Sequence, residues 1–304
     1  MTQIEIPEEL AASHHENDGD AGDAWIAALP DLAANYLDRW QLTLAGPAAH
    51  GVVSLVLPVD TADGTQAVLK LQPVDHETAG EPIALRTWAG DGVVRLLNDD
   101  PDTGTMLLER LHMDRPLSTI PDDLTAVRIL AEMLARLVTK PAPPGLRHLD
   151  DIARAMVERT PRAASFLSVA DDRDLLNTCA AAVRELLDEP GNQLLHWDLH
   201  YDNILAADRE PWLAIDPKPL AGDPGFELMP ALRNRWEEVV ESGNIPRAVR
   251  RRFDLMTEIL DLDRNRAVGW TLGRVLQNCL WDIDSGEVVL QPEQKAIAYA
   301  LLSI

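Results

Sequence analysis

The hydrophobic pattern of this 304-residue chain changes near residue 110, and this change constrains the fold more than any other feature. Before it, short runs of β-branched residues and leucine are separated by turn signals such as Asp63-Gly64. The pattern predicts one helix over residues 77–88 and strands over residues 52–59, 66–71, 93–97 and 105–109. Strands interrupted by a single helix indicate one antiparallel sheet with one helix packed on it.

After residue 110, apolar residues recur at steps of three and four, the period of amphipathic helices. The pattern predicts helices over residues 122–139, 174–188, 227–241, 246–260, 264–282 and 292–302. We therefore predict an α+β fold with two lobes, a smaller one over residues 1–110 and a larger helical one over residues 111–304. Residues 1–24 are expected to be a flexible acidic lead, because they contain seven acidic residues and no Lys or Arg.

The net charge of −23 argues against nucleic acid and anionic membranes as partners, since both require a cationic surface. It is compatible with a cationic small-molecule substrate, and equally with an acidic surface kept for solubility. Cys179 and Cys279 lie in apolar, helix-like sequence, which predicts buried free thiols. The sequence shows no secretory signal and no membrane-spanning run, so we expect a cytoplasmic protein, as a monomer or a homodimer.

The segment from His196 to Asn203 reads H-x-D-x-x-x-x-N, and a later apolar run ends at Asp216. This is the order that a phosphoryl-transfer site of the kinase type requires. Asp198 is the candidate catalytic carboxylate, which orients the acceptor hydroxyl and takes its proton. Asn203 and Asp216 offer the hard oxygen atoms that Mg²⁺ prefers. The gap between the two aspartates leaves room for two short strands and a turn, so both carboxylates can lie at one end of a hairpin.

His196 and His200 flank the candidate catalytic aspartate. We interpret both as structural histidines that hydrogen-bond the backbone of the loop. A zinc site built from His196, His200 and Asp216 is the alternative, but it would leave Lys70 and Asn203 without roles.

Lys70 ends the apolar run Ala67-Val68-Leu69-Lys70. An ammonium among apolar neighbours requires a nearby charge partner. The following helix offers Glu77 and Glu81, of which we prefer Glu81. The functional interpretation places Lys70 on the α- and β-phosphates of a nucleotide, held by Glu81. The alternative is a surface lysine at a sheet edge.

Kinases often place a glycine-rich turn between their first two strands. Here the corresponding stretch, residues 45–51, contains only Gly46 and Gly51. These glycines can let backbone amides approach phosphates, and an ordinary hairpin turn explains them equally well.

Together these segments resemble the aminoglycoside phosphotransferase family of the protein-kinase-like fold, and more narrowly its streptomycin 6-kinase and hydroxyurea phosphotransferase branch. The resemblance spans residues 38–285 and is carried by segments 54–58, 67–70, 94–97, 106–110, 196–203, 212–217 and 222–224. It implies a small N-terminal nucleotide-binding lobe with an antiparallel sheet and a helix. It also implies a larger, mainly helical C-terminal lobe with the catalytic loop and the acceptor pocket.

The resemblance implies roles for individual residues. The implied site consists of Asp198 as catalytic aspartate, Asn203 and Asp216 as magnesium ligands, and Lys70 with Glu81 as the phosphate-positioning pair. Adenine would bond the backbone of the connector at residues 108–111, which includes Glu109 and Leu111. ATP would be the phosphoryl donor together with Mg²⁺, and GTP stays open as an alternative donor.

Three departures from the family pattern bear on the acceptor and the nucleotide. Trp197 stands where the family usually has glycine, so its ring is expected to shape the acceptor pocket. Pro217-Lys218-Pro219 follows Asp216 in place of Phe-Gly, which fits small-molecule kinases and argues against a switchable activation loop. The glycine-poor loop leaves the choice between ATP and GTP unsettled.

The helical lobe is expected to supply the acceptor pocket. The candidate substrate residues are Trp197, Asp202, Glu227, Trp281 and Asp282. A polycationic aminoglycoside would be held by several carboxylates, each contributing about 1–3 kcal/mol through charge-assisted hydrogen bonds, whereas a sugar pocket would mix amides and aromatic rings. Any single acidic residue can also be a solvated helix end. Asp223 is expected to be structural, because in the family it often braces the catalytic loop.

Three functions are open at the level of sequence. The first is a kinase that transfers the γ-phosphate of ATP to an aminoglycoside or aminocyclitol antibiotic, at the 6-hydroxyl of a streptomycin-like compound, and so confers resistance. The second is a metabolic kinase for another small hydroxyl compound, such as hydroxyurea or a sugar. The third is a catalytically dead nucleotide-binding protein, which is disfavoured because the phosphate lysine, the catalytic aspartate and both magnesium ligands are present.

Overall fold

The computed structural model describes residues 4–303, and these divide into two compact units. The first unit comprises the described residues up to His112 together with Ala207–Pro211. The second comprises Met113–Ala206 and the described residues from Trp212 onward. The assignment of a nucleotide-binding role to residues 1–110 and an acceptor role to residues 111–304 stays a prediction.

The first unit is built on one antiparallel sheet. Its helices are α1 (Glu8–Asp18), α2 (Asp20–Arg39) and α3 (Glu81–Trp88). Its strands are β1 (Thr43–Leu44), β2 (Ala49–His50), β3 (Leu55–Asp60), β4 (Gln66–Leu71), β5 (Leu96–Asp100) and β6 (Thr105–Glu109). The strand order is β1-β3-β4-β6-β5, and β2 also pairs with β3. The predicted antiparallel sheet with a helix, α3, is confirmed, and two further helices precede it.

The N-terminal segment is helical rather than flexible. The acidic lead predicted over residues 1–24 is therefore wrong, apart from its first three residues, which lie outside the described part. Leu10 of α1 and Leu29 of α2 are fully buried in the same core cluster as the central strands. Gly22 lets α1 and α2 approach closely, since a Cβ there would lie 2.3 Å from the carbonyl oxygen of His14. The buried residues of α1 are Leu10 and His14, so this helix shows no apolar stripe in sequence.

Two predicted strands begin later than the apolar pattern indicates. The strand predicted over residues 52–59 starts at Leu55, because the Gly51 N–H donates to the Ser54 carbonyl at 2.9 Å. The two valines between these residues form the tip of a tight hairpin between β2 and β3. The strand predicted over residues 93–97 likewise forms further on, as β5. A short apolar run therefore predicts the presence of a strand more accurately than its first residue.

The second unit is mainly helical. Its helices are α4 (Asp123–Leu137), α5 (Leu149–Ala164), α6 (Ala170–Leu186), α7 (Leu228–Arg233), α8 (Trp236–Glu241), α9 (Ile245–Ile259), α10 (Arg264–Asp284) and α11 (Pro292–Leu302). The sequence pattern did not predict α5, because its buried stripe consists largely of alanine, threonine and methionine. Within residues 4–303, no helix combines the length and the apolar character needed to cross a bilayer.

Short strands in the second unit position the loops of interest. They are β7 (His112–Pro116), which begins at the last residue of the first unit, β8 (Arg147–His148), β9 (Gln193–Leu195), β10 (Ile204–Ala206), β11 (Trp212–Ala214) and β12 (Leu220–Gly222). One sheet has the order β11-β10-β7 and the other β8-β12-β9. In the latter, β12 runs parallel to β8 and antiparallel to β9.

Both cysteines are buried free thiols, as predicted. Burial raises the pKa of the Cys179 thiol to about 12 and that of Cys279 well above its ordinary value. Neither sulfur is therefore a thiolate at neutral pH, which is consistent with a packing role.

Leu69 tests the core of the first unit. Its side chain is fully buried, and in β4 it stands opposite Leu57 and Leu107. We expect Leu69→Ala to lower the free energy of unfolding by about 2–5 kcal/mol, because it leaves a cavity in the core. Leu97→Ala is the matched control, since Leu97 is 43% exposed, and its effect should stay below about 1 kcal/mol. Urea unfolding measures both losses, and equal losses would contradict the described packing.

Candidate active site

The motif segment forms the loop between β9 and β10, and β11 returns antiparallel to β10. The Ile215 N–H donates to the Asn203 carbonyl at 2.9 Å. Asn203 and Asp216 therefore stand at the same end of this hairpin, and Asp198, which the sequence predicts to lie there with Asp216, is in the loop that leads into β10. The side-chain amide nitrogen of Asn203 donates to the Asp198 carbonyl at 2.9 Å, so the loop is also braced from within.

His196 joins the two loops at their base. Its ring is fully buried, and Nε2 lies 3.0 Å from the Ile215 carbonyl oxygen, to which the neutral ring donates. Its own carbonyl accepts the Lys218 N–H at 3.0 Å. Burial lowers the pKa of His196 to about 3, against the opposing effect of the bond to the Ile215 carbonyl. This side chain has the structural role that the sequence indicated.

The other histidine of the motif is more accessible. Nδ1 of His200 accepts the Asp202 N–H at 3.3 Å, and the ring lines a cavity beside Asp198. Across the described part of the chain, no group of three or more His, Cys, Asp or Glu side chains has an arrangement that could hold a metal ion. The zinc alternative that combined both histidines with Asp216 is thus unsupported.

Trp197 adopts a backbone conformation that few bulky residues occupy. Its φ of 67° lies in the left-handed region, which costs about 1–2 kcal/mol for a residue with a Cβ. The Trp197 N–H donates to both carboxylate oxygens of Glu227 at 3.0 Å. Its ring contacts the guanidinium groups of Arg147 and Arg274, which lie 4.5 and 4.8 Å from the ring centroid. Two cation–π contacts of about 0.5–2 kcal/mol each offset the strained conformation, so a tryptophan is accommodated at this position.

Two of the predicted substrate residues are buried instead. Trp197 is 3% exposed and Glu227 is 0% exposed. Trp197 packs edge-on against Trp281, with ring centroids 6.0 Å apart. We therefore correct both predictions: Glu227 holds the backbone of the loop that bears Asp198, and Trp197 packs against Trp281, which lines the cavity. Both residues were predicted to contact the substrate because they lie near the motif along the chain. Closeness along the chain does not show whether a side chain is buried or lines a cavity.

A short turn carries Glu227 to the catalytic loop. Residues 224–227 form one turn of 3₁₀-helix, and the Asp223 carboxylate caps it by accepting the Gly225 N–H at 2.8 Å. Arg266 Nε also donates to this carboxylate at 2.6 Å. Asp223 therefore stabilises the turn that bears Glu227, and Glu227 in turn holds the loop of Asp198. This is the structural role expected for Asp223.

A cavity of about 400 Å³ opens beside Asp198 within the second unit. Its polar lining combines carboxylates, guanidinium groups and amides, namely Asp198, Asp282, Arg233, Arg274, Asn234, Asn278 and Gln294. Trp281 and Met229 add apolar surface. Of the remaining candidate substrate residues, Trp281 and Asp282 therefore line this cavity.

Asp202 does not line this cavity, although it lies four residues after the candidate catalytic aspartate. Its carboxylate accepts the Ser118 hydroxyl at 2.5 Å and its side chain is 67% exposed. We correct the prediction that it contacts the acceptor, because the turn at residues 201–203 directs it toward Ser118.

Burial and nearby charged groups have opposite effects on the pKa of the Asp198 carboxyl. Burial raises the pKa of its carboxyl above the ordinary value, while the electrostatic interactions with His200, Lys218 and Arg274 oppose this shift. A carboxylate of raised pKa is a stronger base, which suits a group that accepts a proton during the reaction. Burial and the negative charge of Glu293 also raise the pKa of Asp282.

The sequence pattern did not single out the positive groups of this site as functional. Arg147 and Arg274 lie far from the motif along the chain, and only the fold brings them to Trp197. Two features of the sequence could have pointed to Lys218: the chain has only four lysines, and this one follows Asp216 by two residues.

In the first unit, Lys70 and Glu81 form a buried ion pair. Nζ of Lys70 lies 2.8 Å from each Glu81 oxygen, and the two side chains are 6% and 0% exposed. The Gln72 amide also donates to Glu81 at 2.7 Å. Lys70 pairs with Val56 on one side and Met106 on the other, so it does not lie in an edge strand. The alternative of a surface lysine is wrong, and the role of Lys70 on phosphates stays a prediction.

The other predicted nucleotide residues also belong to the first unit. Gly46 and Gly51 flank β2, and a Cβ on Gly51 would lie 2.8 Å from a neighbouring serine hydroxyl, as expected in a tight hairpin. The Glu109 carboxylate accepts from Arg209 Nε at 2.9 Å, and Leu111 is buried. Their part in nucleotide binding stays a prediction.

The donor atoms at the hairpin end fit a magnesium ion. The nitrogen of the Asn203 amide is engaged by the Asp198 carbonyl, which presents the amide oxygen as the atom for a cation. Asp216 has a φ of 57°, a conformation that aspartate tolerates, and its Oδ1 lies 3.0 Å from Lys218 Nζ. A carboxylate and an amide oxygen are hard ligands of the kind Mg²⁺ takes beside phosphate oxygens and water.

Glu227 is expected to make stability depend on pH. Burial raises its pKa to about 7, while the N–H groups of Trp197 and His196 oppose this shift. Because the folded chain binds this proton more tightly than the unfolded chain, the stabilisation is complete below pH ~4.5 and is lost as the pH rises through about 7. The loss is of the order of 3 kcal/mol.

Glu227→Gln should remove this part of the pH dependence, because a glutamine carbonyl still accepts the Trp197 N–H but does not titrate. The measurement is the free energy of unfolding in urea at pH 5 and pH 7.5. Glu237→Gln removes an exposed carboxyl of the same unit and should follow the wild type. A Glu227→Gln protein with the same pH dependence as the wild type would contradict the assigned environment.

Comparison with known proteins identifies the family of this chain. Residues 39–286 match the family described as aminoglycoside/hydroxyurea antibiotic resistance kinase. The chain is 59% identical to a streptomycin 6-kinase of Streptomyces glaucescens, over 98% of this chain and 97% of that protein. It is 52% identical to a hydroxyurea phosphotransferase of Kitasatospora aureofaciens, over 98% of this chain and 86% of that protein.

A solved structure shares the fold at low identity. The macrolide 2′-phosphotransferase of Brachybacterium faecium superimposes with a TM-score of 0.56 and 16% identity, covering 89% of this chain and 97% of that chain. This likeness supports the bilobal protein-kinase-like α+β fold. The match over most of the chain and the high identity to named kinases lead to one conclusion: the chain belongs to the aminoglycoside/hydroxyurea antibiotic resistance kinase family.

Proposed function

We propose that this protein transfers the γ-phosphate of ATP to the 6-hydroxyl of streptomycin or a closely related aminocyclitol, and so confers resistance. The observation that carries the proposal is the position of Asp198, whose carboxylate lines a cavity large enough for part of such a molecule. The 59% identity to a protein named streptomycin 6-kinase supports this acceptor.

Asp198 orients the acceptor hydroxyl and accepts its proton as the new bond to phosphorus forms. A general base of this kind contributes about 10²–10⁴-fold to the rate. Its backbone is held by Asn203 on one side and, through Trp197, by Glu227 on the other. The carboxylate therefore needs little reorganisation when the substrate arrives.

The nucleotide requires local positive groups, because the protein as a whole is strongly acidic. We assign Asn203 and Asp216 as the residues that would hold Mg²⁺, which when bound offsets charge on the phosphates. Lys70, fixed by Glu81, would position the α- and β-phosphates. The backbone near Glu109 and Leu111 would bond adenine, and the turns at Gly46 and Gly51 would cover the phosphates.

The lining of the cavity differs from the one expected for an aminoglycoside. Two carboxylates, Asp198 and Asp282, face two guanidinium groups, Arg233 and Arg274, and several amides. This mixture suits an acceptor that presents hydroxyl groups as well as cations. Because a small neutral acceptor also fits such a lining, and a relative at 52% identity is named hydroxyurea phosphotransferase, hydroxyurea is the second candidate acceptor.

Asp198→Asn tests the proposed chemistry. An asparagine amide keeps the shape of the carboxylate but cannot take the proton, so kcat should fall at least about 100-fold. The measurement is ADP release with streptomycin, hydroxyurea and simple sugars, with NMR of the product to locate the phosphate. Asp208→Asn is the control, because that side chain is 91% exposed, and it should keep wild-type turnover. A wild-type protein that releases ADP with none of these compounds would refute the proposed function.

Asp282→Asn separates the two acceptors. If Asp282 binds a guanidinium group of streptomycin, losing one charge-assisted hydrogen bond of about 1.5–3 kcal/mol should raise KM for streptomycin about 10- to 150-fold with little change in kcat. Hydroxyurea carries no positive charge, so its KM should change less than about threefold. Asp284→Asn is the matched control two residues away, since its carboxylate pairs with Arg159 and is 57% exposed. Equal effects of both variants on streptomycin would contradict the assignment.

A further inference from the structure

Lys218 occupies an unusual place for a lysine in this chain. Only four lysines occur in 304 residues, so cations elsewhere are mostly arginines. The side chain of Lys218 is 14% exposed, and its Nζ lies 3.0 Å from Oδ1 of Asp216. Its positive charge also acts on Asp198. One ammonium thus serves both the candidate base and a candidate metal ligand.

The backbone around Lys218 leaves little freedom. Pro217 precedes it with a fixed φ, and Pro219 follows it and confines Lys218 to extended conformations. The Lys218 N–H donates to the His196 carbonyl, and β12 begins one residue after Pro219. The side chain is therefore projected from a rigid bridge between the catalytic loop and the hairpin end.

Neutralising the charge of Asp216 does not by itself explain why Lys218 lies beside this carboxylate. An ammonium 3.0 Å from a carboxylate that is to bind Mg²⁺ opposes the metal by Coulomb repulsion. The arrangement becomes favourable when a third partner brings additional negative charge to the same place. The triphosphate of the donor nucleotide is such a partner, and its terminal phosphoryl group must come close to Asp198 for transfer.

We propose that Lys218 is a further catalytic residue, whose ammonium binds an oxygen of the phosphoryl group during transfer. This inference rests on the proposed function. The acceptor oxygen forms a bond to the γ-phosphorus while the bond from that phosphorus to the bridging oxygen breaks. The electron pair of the broken bond leaves with ADP, and the hydroxyl proton passes to Asp198. Lys218 keeps its protons throughout and stabilises the negative charge on the phosphoryl oxygens.

Lys218→Met tests this role, because it removes the charge but keeps most of the apolar stem. We expect kcat to fall about 100- to 1,000-fold. Calorimetry with Mg²⁺ should show at least about tenfold weaker binding of the non-hydrolysable triphosphate AMPPNP, and less than about threefold weaker binding of ADP, which lacks the γ-phosphoryl group. Lys218→Arg should recover at least about tenfold of the lost kcat, because it restores the positive charge.

Lys295→Met is the matched control. Its ammonium also pairs with a carboxylate, Asp172, at 3.2 Å in the same unit, and its loss should leave kcat and both affinities unchanged. If thermal unfolding shows no cooperative transition for Lys218→Met, Lys218→Gln is used in its place, since it also removes the charge but keeps a polar end.

The rival role predicts a different pattern. If Lys218 only neutralises Asp216, the charge-removing variant should bind Mg²⁺ more tightly, lose affinity for AMPPNP and ADP equally or for neither, and keep kcat within about threefold. That pattern would overturn the proposal. The two binding measurements need no acceptor, so they still decide the role of Lys218 if the acceptor proposed above proves wrong.

Discussion

Hydrogen bonds between two backbone loops are the constraint on which the candidate site depends. The loop after β9 and the loop after β11 are joined where His196 bonds Ile215 through its ring and Lys218 through its carbonyl. Asn203 closes the same arrangement from the other end through its bond to the Asp198 carbonyl. The neutral ring of His196 supplies the donor without introducing a charge, and the backbone carbonyl of the same residue supplies the acceptor. The candidate base and both proposed metal ligands thus come from one segment of the chain.

One strained residue in these loops is held by a buried polar contact. Trp197 has a positive φ value and immediately precedes the candidate catalytic aspartate. Glu227 accepts the Trp197 N–H, and burial raises the pKa of this carboxyl to about 7. Such strain persists only where the surroundings over-determine the conformation. The turn that follows β12 supplies this support.

Arg274 connects the cavity beside Asp198 with the loop that bears this residue. Its guanidinium group lies over the rings of both Trp197 and Trp281, 4.8 and 5.2 Å from their centroids, and it also lines the cavity. A change in the cavity wall at Arg274 or Trp281 is therefore expected to alter the packing around Trp197, which precedes the candidate catalytic aspartate. Local positive charge of this kind explains how an acidic protein can handle a polyanionic donor, because field strength at a site depends on nearby groups more than on net charge.

The sequence by itself determined the fold class and the chemistry. The change from strand to helix periodicity predicts the two kinds of layer, and the gap between Asp198 and Asp216 predicts a hairpin of two short strands, because local chain geometry fixes both. The Lys70–Glu81 contact was also foreseeable, since a buried ammonium requires a partner and the next helix offers one.

Tertiary structure decided the rest. Helix α1 forms without an apolar stripe because Leu10 docks into the same core as strands more distant in sequence, which no local pattern records. Only the fold shows that Glu227 and Trp197 are buried braces, whereas Trp281 and Asp282 face the cavity. Burial and charge environment arise from residues far apart along the chain, as with Arg147 and Arg274 at Trp197. A sequence read alone carries the identity of each side chain, but the neighbours that set its pKa and its accessibility exist only once the chain has folded.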